Sequence, residues 1–273
     1  NTNIYESLYV NQGSKGMVEY INEQYIWNNQ TSELIYLDNG RHFLKKANDI
    51  YNDLGRYSFV VEGSQKKLSE INPGKVWMKS KYSRMVAGID FDPEEKRKDI
   101  YNLWKGYAIQ SIHCEDADAT RCQPLLDHIK NVWCSGHESH YEYVLSWFAW
   151  ILQKPARKVG VCVAIKSRQG GGKGTVLDMV RYLMDGERHT NYYIQQSSLD
   201  HLVGNFTSGM EGTMMVNLDE AFWGGCKDAE MQMKGLITEE HQKIHHKNQK
   251  PYMIKNTTAF ILTTNNERFA GIT

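Results

Sequence analysis

The spacing of apolar residues changes character along the chain, and each change predicts a different kind of structure. Over residues 1–76 short alternating stretches are broken by turn residues. Segments 34–37 and 57–61 have the texture of strands, with Asn39-Gly40 as the turn between them. From about residue 77 to 155 the period becomes helical. Tyr141, Val144, Leu145, Phe148, Ala149 and Leu152 recur three and four apart, an apolar face that predicts a helix ending before Pro155. Trp147 and Trp150 widen that stripe and are expected to pack. After Pro155, segment 159–165 is a short apolar run rich in β-branched residues, followed by a glycine loop and a helix predicted over about 173–184. Segments 214–218 and 259–262 read as further buried strands. Strands alternating with helices predict a parallel α/β sheet covered on both faces. The expected organisation is a small accessory α+β region (1–76), a mainly helical segment (77–155) and an α/β core (156–273).

Composition narrows the class without choosing a function. Of 273 residues, 41% are hydrophobic and 23% charged, which excludes a disordered chain. Lys+Arg and Asp+Glu are equal at 32 each, so any basic surface must be local. No run approaches the roughly 18 apolar residues of a membrane span, and the first residues lack a signal-peptide pattern, so a soluble, cytoplasmic protein with no membrane partner is expected. Cys114, Cys122, Cys134, Cys162 and Cys226 are odd in number and irregular in spacing, which reads as reduced thiols. Cys114, Cys122, Cys134, His137 and His140 could ligate zinc in kind. They lack a CxxC pair, so packed thiols and surface histidines are the expectation.

The most informative segment runs Ser167-Arg168-Gln169-Gly170-Gly171-Gly172-Lys173-Gly174-Thr175. It follows a predicted strand and opens a predicted helix, the context in which glycines turn backbone N–H groups into an anion nest at a helix N-terminus. Gln169 to Thr175 are the expected nucleotide-binding residues, with Lys173 meeting the β- and γ-phosphates of ATP. The match to G-x-x-x-x-G-K-[ST] is imperfect: Ser167 takes the first glycine position and Gly174 the hydroxyl position, so Thr175 is the substitute ligand on the Mg²⁺ side.

Two further strand ends complete a candidate site. Met214-Met215-Val216-Asn217-Leu218-Asp219-Glu220 ends in two carboxylates: Asp219 would serve Mg²⁺, partly through water, and Glu220 would act as the base. Ala259 to Asn266 ends in small polar groups, and Asn265 is expected to sense the γ-phosphate. Between them, positions 241–250 hold three lysines, three histidines and no acid. Flanking strand-like stretches predict a hairpin with a cationic tip, whose Lys243, His246, Lys247 and Lys250 would hold a phosphate backbone without reading sequence.

In this order the segments resemble the superfamily 3 helicases, in particular the phage, plasmid and large-DNA-virus primase-helicase group related to the poxvirus primase-helicase. The resemblance runs from Trp77 onward through Phe91-Asp92-Pro93, Tyr101 to Gly106, Gln153-Lys154-Pro155, the glycine loop, Asp219-Glu220, Lys234 to Glu239, Lys247-Asn248 and Thr264-Asn265-Asn266. It implies a P-loop AAA+-like ATPase with flanking helices, assembling into a ring, usually a hexamer, with nucleotide between subunits. It also implies a hairpin that draws single-stranded DNA through the channel during replication, and a primase domain on the same chain. In that family an arginine from the neighbouring subunit, located after the sensor, completes the site. Here Arg268 is the sole arginine of the eight residues after Asn265 and lies too close to it. A chain with this tail, starting at Asn1, reads as a piece of a longer protein of a phage or virus. Two alternatives stay open: a nucleoside monophosphate-type kinase, and a nucleotide-gated DNA-binding scaffold without turnover.

Overall fold

A computed structural model describes residues 3–62, 67–111, 119–168, 170–188, 190–220 and 227–265. Backbone contacts gather into two compact units, one of Asn1–Ile89 with Asp99–Tyr101 and one of Asp90–Lys98 with Asn102–Thr273.

In the first unit α1 (Ile4–Ile21) is capped by Asn3 and broken at Gly13, whose φ of 70° leaves the helix. It is followed by β1 (Tyr25–Asn28), β2 (Glu33–Asp38), β3 (Arg41–Lys45), α2 (Asp49–Gly55), β4 (Phe59–Glu62), β5 (Leu68–Ile71), α3 (Pro73–Lys79) and β6 (Met85–Val86). The sheet order is β3-β2-β1-β6, with β6 parallel to β1 and the other pairs antiparallel. Met17, Val18, Ile21, Leu34, Ile50 and Trp77 form its core.

Three expectations need correction here. Asn39-Gly40 is a turn, with φ of 47° and 77° at its two residues, but it joins β2 to β3, not to the strand at 57–61. The polar ends of β3 hide its alternation, and β4 pairs instead with β5. Trp77, expected to open the helical segment, is 1% exposed in the core of the first unit and donates from Nε1 to Asn22 Oδ1 at 2.8 Å. The contact boundary therefore lies at Ile89, because the helix and strand after residue 76 complete this unit. Nor is 77–155 mainly helical. It contains β6, the two-residue strands β7 (Ile89–Asp90) and β8 (Tyr101–Asn102), and 3₁₀ turns before α4 (Gln123–His128), a π-helical turn at Ile129–Trp133 and α5 (Glu138–Gln153). On α5, Val144, Trp147, Phe148 and Ile151 are buried, whereas Trp150 sits on the flank at 39% exposure.

The second unit continues with β9 (Cys162–Lys166), α6 (Lys173–Met184), β10 (Tyr193–Gln196), α7 (Asp200–Val203), β11 (Met215–Asp219), α8 (Lys227–Thr238), the hairpin β12 (His241–Ile244) and β13 (Tyr252–Lys255), and β14 (Ala259–Thr264). Its sheet runs β10-β11-β14-β9, parallel throughout. The central β14 is buried at every position, as a strand covered on both faces must be. Edge strand β9 is different: Val163 and Ile165 are buried while Ala164 and Lys166 are exposed, so the expectation of two covered faces fails at this edge. Phe91, Trp104, Tyr107 and Tyr192 form an aromatic cluster, with Trp104 stacked on Tyr192 at 5.4 Å between centroids. Lys105 N–H donates to Tyr192 Oη at 2.7 Å, which fixes the approach to β10. No helix among the described residues is long and apolar enough to cross a membrane.

Candidate functional site

The chain leaves β9, crosses through α6 to β10 at the far edge, and returns so that β14 is inserted between β9 and β11. In an open parallel sheet, ligands bind outside the carboxyl ends of strands where the order reverses. The carboxyl ends of β9, β11 and β14 meet here around a cavity of about 570 Å³, lined among others by Gly170 to Thr175, Asp219, Glu220, Thr263 and Asn265. The residues predicted from three separate segments thus share one cleft. Gln169 lies outside the described residues.

The glycine loop is shaped by its backbone. Gly170 and Gly172 have φ of 79° and 67°, a region where a side chain is strained. Gly172 caps α6, so the helix begins at Lys173. A Cβ at Gly172 would lie 2.5 Å from the His128 ring, whereas one at Gly174 would meet nothing within 4 Å. His128 Nε2 is buried without a hydrogen-bond partner among the described residues.

Lys173 ties the loop to the neighbouring strand. Its Nζ donates to Ser167 O at 3.4 Å, to Thr264 O at 3.2 Å and to Asn265 Oδ1. Ser167 N–H also donates to Thr264 O, at 3.2 Å. The amine is therefore held between the glycine loop and the end of β14.

Both carboxylates are held by side chains that sequence reading assigned no role. Asp219 Oδ1 accepts from Thr263 Oγ1 at 2.9 Å and Oδ2 from Gln195 Nε2 at 2.8 Å. Glu220, at a φ of 53°, accepts from Thr264 Oγ1 at 3.0 Å and from Asn265 N–H at 2.8 Å. Thr263 and Thr264 stood next to the expected sensor, so their position in Thr-Thr-Asn was a usable signal. Gln195 had none, because only the parallel pairing Gln195↔Asn217 brings it to this edge. Thr175 is exposed at the mouth of the cleft.

The basic segment forms the expected hairpin, in register His241↔Lys255 to Ile244↔Tyr252. Gln242, Ile244, Tyr252 and Ile254 face inward, and Lys243, Lys247 and Lys250 are exposed. His246 departs from its expected place. Its Nε2 lies 3.1 Å from Glu211 Oε2 and its ring stacks on Tyr252, which also donates to Glu211, so this histidine braces the hairpin from within. Cys134 is a buried free thiol, and burial pushes the Cys162 thiol up to about 12; both are packed groups. Among the described residues no cluster of three His, Cys, Asp or Glu side chains could hold a metal ion. Cys114, Cys226, Asn266 and Arg268 lie outside the described residues.

Residues 165–271 match a family described as DUF5906, a family of unknown function. The chain is 30% identical over 124 residues to the DNA primase-polymerase of Nitratiruptor phage NrS-1, a stretch covering 44% of this chain and 16% of that protein. Two apo structures of the NrS-1 C-terminal region superpose with TM-scores of 0.65 and 0.64, at 18% and 16% identity. They cover 89% and 88% of this chain, which spans only about half of each, 54% and 53%. At that identity the likeness is one of fold. A sequence relation to a phage primase-polymerase and a shared fold with its C-terminal region are thereby established.

Proposed function

We propose that this chain is the ATP-hydrolysing motor region of a phage-type DNA replication protein, a helicase module acting on single-stranded DNA. The observation that carries the reading is the convergence of Lys173, Asp219, Glu220 and Asn265 on one cleft at the carboxyl edge of a parallel sheet. The named relative, a primase-polymerase, supports a role in replication.

The residues fit a nucleotide and its Mg²⁺. The nest of Gly170 to Gly174 opens α6 and would take the β-phosphate on backbone N–H groups. Thr175 and Asp219 would hold the metal, Asp219 partly through water, with one hydrogen bond on each of its oxygens fixing the carboxylate's orientation. The ion supplies charge neutralisation at the transferring phosphoryl group. Arrival of a γ-phosphate draws Lys173 from Asn265, and a water in line with it gives its proton to Glu220 as the O–Pγ bond forms and the bond to ADP breaks. Lys247 and Lys250 on the hairpin tip hold phosphates of the DNA strand, and the site is completed between copies of the chain in a ring.

The kinase alternative would need a basic lid, and it is less favoured because Arg188 donates to Gly106 O at 3.1 Å and Arg181 lies 3.8 Å from Asp178 on its own helix. A nucleotide-gated scaffold keeps one observation in its favour, the engagement of both Glu220 oxygens. Steady-state ATP hydrolysis with and without single-stranded DNA separates the readings. DNA should stimulate turnover, Lys173→Ala should lower it by roughly 10²–10³-fold, and Glu220→Gln should abolish turnover while retaining nucleotide binding. Turnover indifferent to DNA, or intact in Lys173→Ala, overturns the motor reading.

A further inference from the structure

The cationic surface does not end at the hairpin tip. At the open end of the hairpin, beside the start of β9 and remote from the glycine loop, a pocket of about 400 Å³ is lined by Arg157, Lys158, Glu240, His241 and Lys255 among others. Arg157, Lys158, Lys255 and a histidine face one carboxylate there. We infer that this pocket is a second phosphate subsite for single-stranded nucleic acid, taking the backbone after it leaves the tip. The inference rests on the nucleic-acid reading of the hairpin and extends it to residues at its base.

The register supports the assignment. His241 stands directly opposite Lys255, and Lys243 opposite Met253, all on the outward face. Lys243 is diagonal to Lys255, so the two cations neighbour each other on the outer face. The open end lies three residue steps from the tip end, about 10 Å, more than one internucleotide step. A strand on this face would therefore reach both places.

The floor of the pocket is fixed. Lys158 Nζ donates to Leu236 O at 2.7 Å and to Thr258 O at 3.4 Å, which holds its charge at the end of α8. On the other side, Lys255 N–H donates to Asp90 Oδ1 at 2.9 Å, and Asp90 pairs with Arg97 at 3.2 Å. The nearby acids are accounted for in part: Glu94 pairs with Lys96 at 3.0 Å and also feels the charge of Lys255, and Glu239 lies close enough to act on Lys158. Arg157 and Lys255 make no ion pair among those observed between described residues.

The test is fluorescence anisotropy with labelled oligothymidylate across a salt series, on the whole chain with folding checked by thermal melting. For single strands the slope of log K against log salt falls by about 0.7 for each phosphate contact removed. Arg157→Ala with Lys255→Ala should flatten it by about 1.4, so that the affinity lost between 50 and 200 mM salt shrinks by about sevenfold. Arg157→Lys should restore part of the slope. DNA-independent hydrolysis should be unchanged, since neither residue lies at the glycine loop. An unchanged slope in the double variant, with Lys247→Ala and Lys250→Ala still lowering it, overturns the subsite and leaves the hairpin reading intact. If all these variants bind like wild type, the hairpin reading falls as well.

Discussion

Lys158 shows how a single buried charge can be read in solution. Burial pushes its pKa down to about 8 from an ordinary 10.5, with attraction from Glu239 offsetting part of the effect. The sign follows from proton counting. Below about pH 8 the amine is charged in both the folded and the unfolded chain, and its burial is a constant cost. Between about 8 and 10.5 the unfolded chain binds more protons, so raising the pH relieves that cost and this residue contributes increasing stability. Urea denaturation of wild type and Lys158→Met, compared at intervals from pH 7 to 10.5, should show the wild type gaining stability relative to the variant across that window. A constant difference would mean that the amine keeps its ordinary pKa. Other lysines and tyrosines titrate in both proteins and cancel in the comparison.

At the scale of elements, the glycine loop gives a sharper contrast. Gly172→Ala places a methyl against the His128 ring and forces a non-glycine residue to a φ of 67°, costing on the order of 1–2 kcal/mol for the backbone alone. Gly174→Ala meets open space in the first turn of α6 and should be neutral, or stabilising by up to about 1 kcal/mol. Thermal melting and titration with a fluorescent ATP analogue should show Gly172→Ala losing nucleotide affinity and Gly174→Ala keeping it. Adding His128→Ala to Gly172→Ala relieves the clash and leaves the backbone strain, so recovery should be partial; full recovery would place the whole cost in the ring contact.

The same elements show what the sequence disclosed and what it hid. Helix α6 begins at Lys173 and ends at Met184, as its glycine loop and its apolar positions Val176, Leu177, Val180 and Met184 predict. Strands β11 and β14 and the 241–255 hairpin were equally legible, because long apolar runs and a turn of Lys-Asn-Gln-Lys are local signals. Helix α1 was not, since its interior carries Asn11, Gln12 and Gly13 and its axis breaks there. Partners brought by parallel pairing left no mark either. Gln195 reaches Asp219 only because β10 lies beside β11, and Thr263 reaches it only because β14 does. His246 looked like its cationic neighbours until Glu211, 35 residues earlier, was seen to hold it.

At the scale of the molecule, one strand joins the hairpin to the cleft. From Lys255 the chain passes through Asn256, whose Nδ2 donates to Leu236 O and Glu239 O at 2.9 and 3.0 Å, into β14 and on to Thr264 and Asn265. Asn256 to Thr264 are buried throughout, so a displacement of the hairpin base bears on the strand that holds Lys173 and Glu220. Interiors packed at crystal density transmit such strain, and the proposed motor needs that route. The described residues lining the cleft include Lys173 but no arginine, so in the proposed ring a neighbouring copy would supply the further cation for the charge building on the γ-phosphate. Dilution of the wild type tests this. If sites are shared between copies, its specific activity should rise with concentration until assembly is complete. Specific activity independent of concentration down to the lowest dilution would assign the whole catalytic site to one chain and remove the ring from the mechanism.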